Sequence, residues 1–320
     1  MDITENKNKL FTNTFFIMAA ALLCCALWGS ATPFIKIGYE LILPVRNVPS
    51  TLLFAGIRFT LAGIITVMIY SIAKRKLLYP KKENIGRVLT VSAFQTVIQY
   101  VFFYIGLSIT SGVKGTVISG SNAFFAILIS ALIFRQEKLS VKKIVACILG
   151  FAGIIVVNLN GLDFTMNIGD LFVMISNIAY AVSSVLIKKF SKHEDPVVIS
   201  GYQFIIGGSV MIAAGLILGG RVSFATPAAV GVIIYLALLS AVAYSLWGIL
   251  LKHNPVSKVT IYSFMIPVFG VLLTKLMLPE SESNVSLLNL LITLVLICVG
   301  IIILNYKKPE TVQSGSSEKK

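Results

Sequence analysis

The sequence predicts an all-α integral membrane protein in which ten transmembrane helices form two inverted five-helix repeats. Three observations predict it. Of 320 residues, 57% are hydrophobic and only 12% are charged, whereas an ordinary soluble domain carries roughly 25% charged residues. Ten apolar runs, each close to the roughly 20 residues that a membrane span requires, follow one another with short connections. The basic residues gather between alternate runs, and segments of the first half recur in the second.

The runs cover approximately 15–38, 51–73, 88–109, 112–134, 141–159, 168–188, 196–218, 228–250, 259–278 and 285–305. The first is too long for a signal peptide, continues through Pro33 to Lys36, and has a counterpart later in the chain, so it is read as retained. With the N-terminus inside, 21 of the 27 Lys and Arg residues fall in inner segments. Lys36, Arg46, Arg58, Lys114, Arg221 and Lys275 are left for the outer side or the membrane itself. That asymmetry predicts a multi-pass protein of the inner (plasma) membrane with both termini cytoplasmic. Residues 1–14 then form an N-terminal tail, and the polar stretch 307–320 a disordered one.

The halves, 15–159 and 160–306, match in three places. Gly56, Phe59 and Gly63 of the second run align with Gly201, Phe204 and Gly208 of the seventh. Trp28 aligns with Tyr180, and the fifth and tenth runs end alike in GIIVVN (153–158) and GIIILN (300–305). Because five spans is an odd number, the second copy must enter from the opposite side. Inverted repeats of this kind build a site near the midplane that rocking exposes to either side, which points to a secondary transporter of a small molecule.

Other classes find little support in the residues. The net charge of +14 sits in connecting segments rather than among stacking aromatics, so no nucleic-acid partner is expected; the partners expected are a small-molecule substrate and membrane lipid. Cys24, Cys25, Cys147 and Cys298 lie inside apolar runs, and His193 and His253 in connections, so neither a metal site nor a cofactor is expected. There is no P-loop, and gradients must supply the driving force. A membrane-embedded enzyme would need a nucleophile or acid/base pair within the bilayer. A proton-coupled drug efflux pump would need a carboxylate there, yet all thirteen acidic residues fall in loops, tails or span ends. Diffusion or exchange is the simpler expectation. The oligomeric state is left open.

Polar side chains in hydrocarbon are costly unless they face a cavity or another helix. Gln95 and Gln99 lie four residues apart in the third run, beside a second stripe of Thr96, Tyr100 and Tyr104. Asn122, Tyr180, Gln203, Tyr244 and Ser263 mark later runs. With Trp28 and Arg58 these residues are the candidate substrate-binding lining: Trp28, Arg58, Gln95, Gln99, Tyr100, Asn122, Tyr180, Gln203, Tyr244 and Ser263. Small hydroxyl residues such as Ser119, Ser121, Ser176 and Ser183 serve equally to cement helix pairs. Pro33 and Pro267 each free a carbonyl and are candidate hinges or kinks, or simply kinks satisfied by neighbouring helices. Arg58 is the one ionisable residue placed well within a run. It either snorkels outward or pairs with Glu40, or it faces the cavity and grips a substrate carboxylate or phosphate.

The segments ALWGSATPFIK (26–36), IRFTLAG (57–63), the stretch from Gly106 through FRQEKLSVKK, YQFIIGG (202–208) and IPVFGVLLTKLMLPES (266–281) resemble the drug/metabolite transporter superfamily, in particular its EamA-type ten-helix permeases. The likeness spans nearly all of 15–305, with Trp-Gly in helix 1, Arg-Phe in helix 2, and Glu137 and Glu280 just past helices 4 and 9. It implies efflux of a metabolite or amino acid. The chain departs from the pattern at Phe124, where Pro267 shows the proline usual in that stretch, so helix 4 is expected to be straighter than helix 9.

Overall fold

The structure, a computed structural model, describes residues 9–159, 165–277 and 286–306. Both expected tails fall wholly or mostly outside the described residues, as do Asp163 and Glu280. The described residues are helical, with no strand among them. We number the principal helices α1 (Thr14–Ile42), α2 (Val48–Ala73), α3 (Ile85–Ile109), α4 (Gly112–Ile133), α5 (Val141–Val157), α6 (Ile168–Phe190), α7 (Pro196–Ile217), α8 (Pro227–His253), α9 (Val256–Met277) and α10 (Leu287–Asn305). Among the described residues nine are long and apolar enough to cross a membrane; α5, of 17 residues, packs along α10. Polar caps set their starts: Asn13, Asn47, Asn167, Asp195, Thr226 and Ser286 each accept backbone N–H groups of the first turn.

The packing displays the inversion directly. Helices α2 and α7 cross on glycines, and each glycine meets the repeat-equivalent of the other glycine on its own helix. A Cβ on Gly56 would lie 2.8 Å from the Gly208 carbonyl oxygen, and one on Gly208 would lie 2.8 Å from the Gly56 carbonyl oxygen. Gly63 presses on Gly201 and on the Ile205 amide in the same way. Gly56 aligns with Gly201 and Gly63 with Gly208, so the contacts exchange under a two-fold rotation. Phe59 and its equivalent Phe204 stack on each other, centroids 5.0 Å apart and planes within 10°, as residues beside such an axis must. The α5–α10 pair repeats the pattern: Gly153 approaches Thr293, and Gly300 approaches Ala146. Backbones that close are held by dispersion and weak polar contacts, which is how helices associate where lipid removes the hydrophobic drive.

Three helices are irregular. Helix α4 is broken rather than straight: α-helical over Gly112–Gly120 and Asn122–Leu128, it closes in a π-helical turn over Ile129–Ile133. The break falls at a Gly-Ser pair, Gly120–Ser121, where the Ser121 hydroxyl turns back to donate to the Ile118 carbonyl at 2.6 Å. A helix thus interrupts itself here without proline. Helix α9 is α-helical over Val256–Thr260, 3₁₀ over Ile261–Phe264 and α-helical from Met265, so Pro267 sits one turn beyond a tightened segment. Helix α1 by contrast continues as one α-helix through Pro33. One turn earlier Gly29 lets α1 press on the α9 backbone, where an added Cβ would stand 2.8 Å from the Gly270 nitrogen. Helix α3 carries a π-helical segment at Ala93–Ile98.

Candidate functional site

Helices α2, α3, α7 and α8 enclose a cluster that joins one cation to a set of aromatic rings. Arg58, on α2, is 3% exposed. Its Nε and Nη2 both donate to the Ser240 hydroxyl of α8, at 3.2 and 3.0 Å, and Ser240 passes its own proton to the Leu236 carbonyl at 2.8 Å. The guanidinium carbon lies 4.9 Å from the centre of the Phe59 ring. Glu40, the acidic partner considered from sequence, is instead paired with Arg46 at the exposed end of α1. Among the described residues no carboxylate pairs with Arg58. A buried guanidinium with five donors and one hydroxyl acceptor retains most of its bonding capacity.

The rings extend from this cation. Phe59 leans on Tyr100 at 4.4 Å; the Tyr100 and Tyr244 hydroxyls share a hydrogen bond of 2.7 Å; Tyr244 meets Phe204 and Trp28 edge-on at 4.8 and 5.1 Å. Trp28 in turn meets Trp247 at 5.0 Å, and the buried indole nitrogens of both have no acceptor among the described residues. Gln203, fully buried, accepts from the Thr96 hydroxyl at 2.6 Å, while its Nε2 is likewise unpartnered. Unmet donors buried together in this way cost free energy unless water or a ligand satisfies them.

Trp28, Arg58, Tyr100 and Tyr244 therefore come together; Tyr180 packs in the same apolar cluster, and Gln203 adjoins Phe204 on α7. Among the described residues no hydrogen bond or ring contact joins the other candidates to this cluster. In α3 the second stripe meets the centre: Thr96 donates to Gln203, Tyr100 shares its hydrogen bond with Tyr244, and the Tyr104 ring lies 5.9 Å from that of Tyr100. Gln95 and Gln99 each keep a buried, unpartnered Oε1. Asn122 lies just past the α4 break with its Oδ1 unpartnered, on the segment that packs against α9; Ser263 donates to the Thr260 carbonyl of its own helix at 2.7 Å. Sequence reasoning missed Ser240 and the pairing of Phe59 with Phe204. The signals were present, in the four-residue spacing of Ser240 from Tyr244 and in the internal alignment.

Two further polar clusters tie the halves together away from this centre. At the ends of their runs, Lys114 and Asp170 are both buried, with Nζ and Oδ2 3.8 Å apart and side chains 8% and 1% exposed. Asp170 also accepts from the Thr110 hydroxyl and, at 2.9 Å, from the Asn167 amide; Lys114 donates to the Thr165 carbonyl. Arg58 is thus not the one buried charge. At the opposite face, Glu137, beyond α4, accepts from the Ser257 amide of α9 at 3.0 Å, from the Ser257 hydroxyl, and from Lys143 at 2.7 Å. Burial pushes the Glu137 carboxyl up, but those hydrogen bonds outweigh it and hold the group below the ordinary carboxylate value.

Fold and cluster together define a multi-pass α-helical membrane protein built as an inverted repeat about a buried polar and aromatic centre. The EamA-like transporter family model matches residues 15–159 and again 167–306, and the chain belongs to that family. It is similar to an uncharacterized transporter of Archaeoglobus fulgidus, 25% identical over 79% of this chain and 87% of the relative. An uncharacterized transporter of Bacillus subtilis, YvbV, is 25% identical over 92% of both chains. A probable amino-acid metabolite efflux pump of Salmonella typhimurium is 26% identical over 83% of this chain and 88% of its own. A crystal structure of a protein 16% identical shares the fold, with a TM-score of 0.72 over 92% of this chain and 98% of that one.

Proposed function

We propose that this protein is a secondary transporter that carries an amino acid or related small metabolite across the cytoplasmic membrane by alternating access, with both termini in the cytoplasm. The observation that carries the reading is the buried, carboxylate-free Arg58 amid unmet donors of Trp28, Trp247 and Gln203. A set of donors with one positive charge is complementary to an acceptor-rich anion, and a substrate carboxylate would take the planar fork bidentately while the rings bound its apolar part. Gln95, Gln99, Asn122 and Ser263 are proposed to line the path rather than the anchor, with Pro33 and Pro267 as hinges. The name of the Salmonella relative supports the substrate class.

The test is substitution in proteoliposomes. Arg58→Lys keeps charge and loses the fork, and Arg58→Gln loses both. Charge-assisted hydrogen bonds are worth about 1.5–3 kcal/mol, so each variant should slow carboxylate uptake by roughly 10- to 150-fold while expressing and inserting normally. Wild-type rates in both would end the anchor reading. Orientation is checked separately by labelling Val45→Cys, expected outside, and Lys82→Cys, expected inside.

A further inference from the structure

The face carrying most of the lysines holds a cavity of about 430 Å³ between the end of α2, the loop after it, and the start of α7. The loop is fastened to α7: the Lys81 amide and Asn84 Nδ2 each donate to Glu194 Oε2 at 3.0 Å, and the Tyr202 hydroxyl donates to the Leu78 carbonyl at 3.0 Å. Asp195 is occupied in the same fashion, by the Tyr70 hydroxyl at 2.7 Å and the Val197 amide at 2.9 Å. All four carboxylate oxygens therefore have a neutral donor, the fourth, Glu194 Oε1, taking the Asp195 amide at 3.1 Å. The cavity's ammonium groups are not so bound among the described residues, although Lys81 lies near enough to Glu194 for their charges to attract. Lys74, Lys76 and Lys81 line it, and among the described residues none pairs with a carboxylate; Lys74 is drawn over the Tyr70 ring at 5.4 Å.

We propose that this cavity binds the phosphate of an anionic phospholipid from the adjoining leaflet, held by Lys74, Lys76 and Lys81. Its rim identifies lipid rather than a soluble phosphate. Leu77 and Tyr79, which line the cavity, are 71% and 65% exposed, and Ile72, beside it on α2, is 70% exposed. Apolar side chains so exposed next to ammonium groups suit a boundary where acyl chains lie below and headgroups beside, with the tyrosine at headgroup level. The loop belongs to the first repeat and is hydrogen-bonded to Glu194 and Tyr202 of the second, so a lipid seated there touches both. The inference concerns a site remote from Arg58 and stands apart from what the central cluster carries.

The experiment is native mass spectrometry of the full chain in detergent, titrated with phosphatidylglycerol or phosphatidylcholine. Each ammonium near an anionic surface contributes about 1 kcal/mol, a factor of roughly five. Lys74→Gln, Lys76→Gln and Lys81→Gln together should therefore weaken phosphatidylglycerol binding about 100-fold. A second triple variant of the same charge, Lys189→Gln, Lys192→Gln and Lys252→Gln, should keep it within a few-fold, and phosphatidylcholine should bind neither. Equal weakening in both triples would reduce the site to general surface charge and overturn the proposal. So would unchanged binding in the first triple, or displacement of the lipid by millimolar inorganic phosphate, which would make it a soluble-anion site.

Discussion

Removing either member of the Lys114–Asp170 pair should destabilise the protein strongly, and removing both should restore most of the loss. At 3.8 Å, and with an effective dielectric of about 20, Coulomb's law gives an attraction of about 4 kcal/mol. Desolvating two charges that are 8% and 1% exposed offsets much of that, so the intact pair adds little net stability. A lone survivor keeps the desolvation and loses the attraction, at a typical cost of 3–5 kcal/mol. Lys114→Met and Asp170→Asn should each cost about that much, Asp170→Asn keeping the shape but only one of the two oxygens that accept from Thr110 and Asn167. The double variant should lie within about 2 kcal/mol of wild type, leaving a coupling energy of at least about 4 kcal/mol. Unfolding the purified protein with increasing sodium dodecyl sulfate in mixed micelles supplies the four numbers. If both single variants cost under about 1 kcal/mol, or if the double equals the sum of the singles, the pair is solvated and the reasoning fails.

The glycine seam between α2 and α7 and the clasp of Glu137 on Ser257 and Lys143 yield two more expectations. Gly63→Ala, whose Cβ would press on the Gly201 carbonyl and lie 2.7 Å from the Ile205 amide, should lower thermal stability in detergent, by about 1–3 kcal/mol of overpacking. Gly231→Ala in α8, with nothing within 4 Å of the new Cβ, should be neutral or stabilising by up to about 1 kcal/mol, and equal effects would refute the seam. Because the Glu137 carboxyl is held below its ordinary value, its stabilisation is fully present above the unfolded value near 4.3 and is lost as pH falls below that toward the lowered folded value. Glu137→Gln should accordingly flatten the acid limb of a stability–pH curve; an unchanged limb would remove the carboxylate from the clasp.

The spans, the inversion and the family were legible in the sequence because each depends on one-dimensional quantities: run length, charge placement and the alignment of Gly56 and Gly63 with Gly201 and Gly208. The site was legible in part. Trp28, Arg58, Tyr100 and Tyr244 stood out as polar or aromatic groups in hydrocarbon, and they meet. On α3 the four-residue spacing offered two stripes, and only packing shows that Thr96 and Tyr100 bond to the centre while the Gln95 and Gln99 oxygens stay unpartnered. Nor was the α4 break legible, since it depends on a Ser121 hydroxyl choosing its own backbone. Asp170 and Lys114 belong to the ends of their runs by counting, and only tertiary packing between α4 and α6 shows that both are buried.

A surface that meets its own repeat-equivalent is self-complementary, which is the geometry of a two-fold homodimer. A lone first half would therefore offer, along α2, a face that accepts a second copy of itself inserted upside down. That homodimer would bring two Arg58 guanidinium groups beside one axis, next to stacked Phe59 rings, with no anion between them. Joining the copies in one chain frees the equivalent positions to diverge, and here they have: arginine on one side, Gln203 on the other. The fused molecule keeps the symmetric frame yet holds a single charge at its centre, so a ligand bound there would have a head and a tail. Polarity of that sort is what a symmetric pair of identical subunits lacks.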